Sequence, residues 1–196
     1  MTSTKPQLHK QISLIAIAGI GLGVATINAS LTQAALPPSS SQTQTISNSP
    51  MLLAQSVDQD EILAAHNKYR REVGVPPLKW SDSLASSAQK WAEHLASIET
   101  LEHSSANYGE NLWAGSPGLF SQTQMVDDWG SEKESFIPDS TFPDTCRGGW
   151  QNCSHYTQII WRSTKEVGCG LARKEDTNYF VCQYNPPGNI QGESPD

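Results

Sequence analysis

The stretch VGCGLARKEDTNYFVCQY, residues 167–184, contains two short β-rich runs on either side of a polar segment. This pattern predicts a β-hairpin whose turn lies within residues 174–178. Paired residues of a hairpin lie at equal distances from its centre, and Cys169 and Cys182 are equidistant from the Glu175–Asp176 bond. We therefore expect the two cysteines to face each other across the hairpin, close enough for a disulfide.

The chain contains four cysteines, which permit three pairings. A bond between Cys169 and Cys182 leaves Cys146 with Cys153, which would close a short loop that contains glycine. The alternative is a zinc site made of cysteines, but the chain lacks the CxxC spacing of such sites. Disulfides are typical of exported proteins, so the N-terminal sequence bears on this choice.

The first residues have the pattern of an export signal. Lys5 and Lys10 precede an apolar run over residues 12–27, and small residues suited to a signal peptidase follow at Ala29, Ser30, Ala34 and Ala35. The alternative is an uncleaved membrane anchor, although the run is shorter than the roughly 20 residues that a spanning helix needs. We predict a signal peptide over residues 1–35 and a secreted mature protein, extracellular or periplasmic.

Residues 36–56 are uncharged and rich in Ser, Thr, Gln and Pro. Such a composition buries too little apolar surface to offset the entropy of ordering the chain. We predict a disordered linker over this range and one folded domain over residues 57–196. The alternative is an ordered arm laid over the domain, which the apolar residues Met51, Leu52 and Leu53 favour.

Apolar residues repeat at helical spacing in three segments of the domain. Asp58, followed three residues later by Glu61, resembles a capping box at the start of the first helix, and Gly74 marks its end. The three predicted helices cover approximately residues 58–73, 81–95 and 122–134. Helices that come first and strands that come last predict an α+β fold with a sheet covered by helices.

The charge balance excludes one class of partner. The formal net charge is −7, and the only charged residues before Val57 are Lys5 and Lys10, so the domain itself is more acidic still. An acidic surface repels phosphate groups, and we therefore expect no nucleic-acid partner.

Four segments resemble, in the correct order, the motifs of the CAP superfamily of cysteine-rich secretory proteins, antigen 5 and plant pathogenesis-related protein 1. They are HNKYR (66–70), GENLW (109–113), SHYTQIIWRST (154–164) and YFVCQYNPPGNI (179–190). The resemblance to this SCP-like extracellular domain covers residues 57–190 and is nearest to the plant branch. It implies a three-layer α-β-α sandwich with a central, mostly antiparallel sheet, and it agrees with the cysteine pairing above. A further cysteine pair of the plant proteins is absent, and Glu99 and Lys174 stand at its approximate positions.

The resemblance also implies a cleft that contains two histidines and two glutamates. Matched motif by motif, these residues are His103, Glu110, Glu132 and His155. Their spacing alone, without an HExxH pattern, indicates ordinary polar residues. With the resemblance, we expect His103 and His155 to bind Zn²⁺ or another divalent metal, and Glu110 and Glu132 to serve as cleft carboxylates.

Aromatic residues of the loop-rich stretch 129–145 are candidates for a ligand groove, namely Trp129, Phe136 and Phe142. Some relatives bind lipids, and the resemblance therefore implies a small hydrophobic ligand, a sterol or a fatty acid.

The HNKYR segment resembles the family's structural motif. His66 lies on the apolar face of the first helix, so packing with one hydrogen bond is its expected role. Asn67 and Arg70 are expected to hold backbone segments together.

The preferred interpretation is a secreted, monomeric, non-enzymatic binding module with no catalytic residue. The first alternative is a metal-dependent hydrolase or peptidase that uses Glu110 or Glu132 as its base. The second is an extracellular structural or interaction domain. The chain lacks the GxSxG turn of serine hydrolases, which disfavours a serine nucleophile. A cysteine nucleophile is excluded if all four cysteines are bonded.

Overall fold

The computed structural model describes residues 53–196. The predicted signal peptide and residues 36–52 of the predicted linker lie outside the described residues. The helices are α1 (Gln59–Glu72), α2 (Asp82–Ile98), α3 (Gln122–Ser131) and α4 (Ser154–Ile160). The strands are β1 (Leu53–Gln55), β2 (Lys79–Trp80), β3 (Gly109–Gly115), β4 (Glu166–Lys174) and β5 (Thr177–Asn185). Within 53–196, none of the helices has the length and apolar character needed to cross a bilayer.

One five-stranded sheet forms the centre of the domain, in the order β1-β4-β5-β3, with β2 beside β4. The pairs are antiparallel except β2 with β4. The β4–β5 hairpin has the predicted register, with Cys169 opposite Cys182.

Both predicted disulfides are confirmed. Cys169 is bonded to Cys182, and Cys146 is bonded to Cys153. At the positions of the cysteine pair that the plant proteins have in addition, Glu99 and Lys174 form an ion pair. The two positions are therefore neighbours in this chain as well.

The two faces of β5 belong to two different apolar cores. Tyr179 and Val181 pack with Leu95 and the buried alanines of α2. Phe180 and Tyr184 belong to a larger core with residues of α1, α3 and α4. The sheet therefore lies between α2 on one side and three helices on the other, which confirms the predicted α+β, three-layer sandwich.

Helix α2 lies directly on β4 because the strand has glycine at two positions that face the helix. A Cβ built on Gly168 would lie 2.2 Å from the backbone nitrogen of Ala85, and one built on Gly170 would lie 2.3 Å from Cα of Gln89. Cys169, between the two glycines, belongs to the large core on the opposite face. The Gly-Cys-Gly sequence thus sets how closely α2 approaches the sheet.

Helix α1 begins where predicted, but its capping box is only half formed, because the Asp58 backbone N–H donates to Gln122 Oε1 at 2.7 Å and not to Glu61. The Asp58 side chain accepts a hydrogen bond from the Glu61 backbone N–H at 3.0 Å. The Glu61 carboxylate accepts from the backbone N–H and the hydroxyl of Thr123, at 2.7 and 2.9 Å. Glu61 therefore links α1 to the N-terminus of α3.

Two sequence predictions need correction. β1 pairs with β4, Leu53 opposite Arg173, so the prediction of a disordered linker is wrong for residues 53–55 and the ordered-arm alternative holds there. Helix α3 ends at Ser131, and a 3₁₀ helix over Glu132–Ser135 continues the chain where an α-helix was expected.

Candidate metal and ligand cleft

Arg70 of α1 holds four backbone segments in place. Its fully buried guanidinium donates to the carbonyl oxygens of Pro76 (2.6 Å), Ile159 (2.8 Å), Trp161 (2.9 Å) and Thr164 (3.0 Å). These four bonds connect α1 to the loop that follows it and to the segment between α4 and β4.

His66 is fully buried and makes two hydrogen bonds where one was expected. Nδ1 lies 2.8 Å from the Ile62 carbonyl oxygen, and Nε2 lies 2.9 Å from the Tyr184 hydroxyl. Burial lowers the pKa of His66 to about 4, so the ring is neutral near pH 7. A carbonyl only accepts, and Nδ1 therefore carries the proton while Nε2 accepts from Tyr184.

Asn67 completes this group of residues, which we call the scaffold motif (His66, Asn67 and Arg70). Its side chain donates to the Leu78 carbonyl at 3.2 Å and accepts from the Leu78 N–H at 2.7 Å. These two bonds attach α1 to the backbone just before β2.

The first half of the cleft is the pair His103–Glu110. Glu110 lies on β3 opposite Gln183 of β5, and its side chain is only 5% exposed. Its Oε1 accepts from His103 Nδ1 and from the Ser104 N–H, both at 2.9 Å. Its Oε2 accepts from the Ser104 hydroxyl at 2.7 Å and from Gln183 Nε2 at 3.0 Å.

These contacts shift the protonation of both partners. Burial would raise the pKa of Glu110, but the hydrogen bonds from His103, Gln183 and Ser104 outweigh it and lower that pKa. The hydrogen bond to Glu110 raises the pKa of His103 above its ordinary value, against the effect of partial burial. Glu110 is therefore a poor proton acceptor.

The second half of the cleft is the pair His155–Glu132. His155 Nδ1 lies 2.7 Å from Glu132 Oε1, and Glu132 Oε2 accepts from the backbone N–H groups of His155 (3.0 Å) and Tyr156 (3.3 Å). The imidazole stacks on Trp129, with 6.2 Å between the ring centroids. The first turn of α4 and the 3₁₀ helix after α3 thus fix this ring from two directions.

His103 and His155 line the same cavity, of about 300 Å³, together with Glu110. Glu132 contacts His155 without lining this cavity. In both rings Nδ1 faces a carboxylate, and neither Nε2 has a hydrogen-bond partner among residues 53–196. A neutral ring that donates through Nδ1 carries its lone pair on Nε2, which is the atom that binds metals.

The donor set fits a metal with two protein ligands. Across the described part of the chain, no group of three or more His, Cys, Asp or Glu side chains converges on one point. Two imidazoles would leave coordination positions for water or a further ligand. The structure thus brings together the four residues that the resemblance implied, as two separate pairs.

The predicted aromatic groove is largely wrong. Trp129 is 3% exposed, stacks on Phe180 and donates from Nε1 to the Leu112 carbonyl at 3.0 Å. Phe136 is also buried and packs on Tyr156. Both belong to the large core, because α3 and the chain after it turn these rings inward.

Phe142 is the one predicted groove residue that lines the cavity. Beside it lies the half-exposed Trp150, which follows the stretch 129–145 and was not among the predicted groove residues, with 6.2 Å between ring centroids. Asn111 was also missed. Its Nδ2 donates to the His155 carbonyl at 3.1 Å and to the Tyr184 hydroxyl at 3.2 Å, which joins the cleft to the scaffold motif.

The sandwich and its paired His–Glu cleft define a class of protein, and comparison with known families agrees. Residues 63–184 match the model of the Cysteine-rich secretory protein family, CAP, and the chain belongs to this family. It is 45% identical over 143 residues to Pathogenesis-related protein 1A of Nicotiana tabacum, covering 72% of this chain and 82% of the relative. It is 38% identical over 145 residues to Pathogenesis-related protein 1 of Arabidopsis thaliana, covering 74% and 85%.

Solved structures show the same fold at lower identity. NaASP2, crystallised with Zn²⁺, superposes with a TM-score of 0.60 at 21% identity and covers 70% of this chain and 83% of its own. Hookworm Platelet Inhibitor gives a TM-score of 0.57 at 19% identity, covering 72% and 79%.

Proposed function

We propose that this CAP protein is a secreted, non-enzymatic binding module whose cleft holds a divalent metal, with Zn²⁺ first, through His103 and His155. The observation that carries the proposal is that the two rings are held in the same way and line one cavity. In each ring Nδ1 contacts a carboxylate, and Nε2 has no hydrogen-bond partner among the described residues. A bound zinc ion would supply a positive charge and open positions for a polar ligand. The description of NaASP2 with Zn²⁺ supports the choice of metal, since that protein shares the fold.

The carboxylates favour binding over catalysis. Each oxygen of Glu110 accepts two hydrogen bonds, and its pKa is lowered. The oxygens of Glu132 accept three in total. A general base works best with a pKa near the working pH and a free lone pair, and Glu110 has neither. Both glutamates, Glu110 and Glu132, orient an imidazole through its Nδ1 atom, as carboxylates behind metal-binding histidines do.

Zinc titration calorimetry tests the metal proposal. We expect His103→Ala and His155→Ala each to weaken zinc binding on the order of 100-fold, because each removes one of two protein ligands. The matched control is His94→Ala, an exposed histidine outside the cleft cavity, which should bind zinc as the wild type does. Equal affinity in all four proteins would refute the proposal.

Zinc binding should also depend on pH. Protons compete for Nε2, so zinc should be released as the pH falls through about 6.5, the ordinary pKa of imidazole. Because Glu110 raises the pKa of His103, competition at that ring should begin at higher pH. A chelating indicator that reports free zinc between pH 8 and 5 measures this release.

The hydrolase alternative has its own test. A screen with ester and peptide substrates should detect no turnover in the zinc-loaded protein. Turnover that Glu110→Gln abolishes, with zinc retained, would establish the hydrolase instead.

Phe142 and Trp150 lie together at the cavity, and these two rings support the proposal of a ligand with an apolar part. We expect a sterol or fatty acyl chain to contact these two rings. Native mass spectrometry of the purified protein, with extracted lipids identified, tests this. A fluorescent sterol should bind more weakly to Phe142→Ala and Trp150→Ala, whereas Trp91→Ala, a partly buried tryptophan on α2, is the control.

Secretion is supported by the two disulfides, which an oxidising compartment favours. N-terminal sequencing of the exported protein is the test. A start between Ala29 and Val57 agrees with secretion, whereas intact Met1 in the membrane fraction would favour an anchor.

A further inference from the structure

A second cavity, of about 320 Å³, lies between the loop that follows α1 and the segment that joins α4 to β4. Pro76 and Pro77 supply an apolar part of its wall. None of the residues that line it lines the metal cleft. The cavity is therefore a separate site, independent of the function proposed above.

Three cations surround this cavity: Lys79, Arg162 and Lys165. Glu166 is the one acidic residue in its lining. Among residues 53–196, none of the three cations lies within 4 Å of a carboxylate oxygen, whereas Lys68, Lys133 and Lys174 all do. The sequence before Asp58 contains no Asp or Glu, so the rest of the chain has no acidic side chain to offer.

A fourth positive charge lies beneath the same wall. The buried guanidinium of Arg70 donates to the carbonyls of Pro76 and Thr164, and both of these residues line the cavity. Its four partners are all neutral carbonyl oxygens. Burial is the main cause that lowers the pKa of Arg70 to about 10, and repulsion from Arg162 contributes.

We propose that this cavity binds the oxyanion of a small organic ligand, a sulfonate, sulfate, phosphate or carboxylate group, with the apolar part of the ligand against Pro76 and Pro77. The Arg162 guanidinium offers five donors and makes no hydrogen bond to the described part of the chain. Its planar fork suits an oxyanion. The volume is that of a small-molecule site. An extended polyanion would be repelled by the acidic remainder of the domain, so the ligand is small.

Titration of the isotope-labelled protein with benzenesulfonate, followed by NMR, tests the proposal. The backbone amides of Thr164, Lys165 and Glu166 should shift and saturate. Benzenesulfonamide has nearly the same shape without the charge and should not bind. Inorganic sulfate should bind at least several-fold more weakly than benzenesulfonate, because it lacks the apolar part.

The variant Arg162→Gln/Lys165→Gln should bind benzenesulfonate on the order of 100-fold more weakly, about tenfold for each cation removed. The matched control, Lys90→Gln/Arg173→Gln, changes the net charge by the same amount at a distance from the cavity lining. It should bind as the wild type does. Thermal unfolding of both variants, expected to be unchanged, establishes that they fold.

Three results would overturn the proposal: no saturable shift in the wild type, equal affinity in the two double variants, or equal binding of the sulfonamide. Equal binding of inorganic sulfate and benzenesulfonate would support the oxyanion site and refute the contact with the prolines.

Discussion

The scaffold motif and the cleft both contain histidine, but they differ in whether both ring nitrogens have a hydrogen-bond partner. His66 has a partner at both ring nitrogens, and every partner of Arg70 is a backbone carbonyl. In the cleft, His103 and His155 each have one nitrogen held by a carboxylate and one without a partner among the described residues. A histidine whose two nitrogens are both satisfied in the core serves the fold. One that keeps a nitrogen free at a cavity is available to a ligand.

The strongest test of this contrast is Arg70→Met, which removes the shared donor of four backbone carbonyls, three of them in buried hydrogen bonds. We expect the free energy of unfolding in urea to fall by about 4 kcal/mol, because several buried acceptors lose their partner at once. The exposed neighbour Arg71 provides the control, and Arg71→Met should change the free energy by less than about 0.5 kcal/mol. Similar losses in the two variants would contradict the structural role assigned to Arg70.

A second test uses the pH dependence of stability. The pKa of His66 is about 4 in the folded protein and about 6.5 when unfolded, so between these values the unfolded chain binds a proton that the folded chain does not. The free energy of unfolding should therefore fall as the pH falls from 6.5 to 4, by about 3 kcal/mol from this residue.

Urea unfolding at several pH values measures this dependence. His66→Gln should flatten the curve across the window, whatever its effect on stability at pH 7. His94→Gln replaces an exposed histidine and should keep the slope of the wild type. An unchanged slope in His66→Gln would show that other groups cause the loss.

The smallest expected effect concerns the carboxylates behind the cleft rings, and it rests on the metal proposal. Glu110→Gln and Glu132→Gln should each weaken zinc binding on the order of tenfold, because a neutral amide orients and polarises the imidazole less well. Calorimetry measures the change, with the exposed Glu102→Gln as control. Unchanged zinc affinity in both cleft variants would remove the functional difference between the two regions.

Local elements of the fold were predictable where a short stretch carries its own signal. The β4–β5 register followed from the symmetric placement of Cys169 and Cys182. Helix α4 carries no such signal, because residues 156–160 are all buried and give no apolar stripe. Its N-cap, Cys153, makes no side-chain capping bond. Strand β1 has three residues and exists through pairing with β4, which composition does not reveal.

The candidate site could not be derived from residue spacing because several of its contacts join elements that are distant in sequence, His155 of α4 with Glu132 among them. Gln183 reaches Glu110 from 73 positions away, through the pairing of β3 with β5. The motif resemblance supplied the four cleft residues, but it gave no sign of Ser104 or Gln183. Trp129 was wrongly predicted to line a ligand groove, although the apolar spacing of α3 places it on the buried face of the helix. For this residue the helical spacing predicts burial better than the loop-rich composition of residues 129–145 does.

The close approach of α2 to β4 has a consequence for the two segments that carry the cleft histidines. The atoms nearest to a Cβ on Gly168 or Gly170 belong to the backbone of α2 and its N-cap, so rotation of a side chain would not make room if either position grew. Helix α2 would have to move as a whole. Helix α2 leads directly into the loop that carries His103, whereas His155 is carried by α4 in the opposite layer. A methyl group added to either glycine would therefore move the helix that precedes His103 and leave α4, which carries His155, in place.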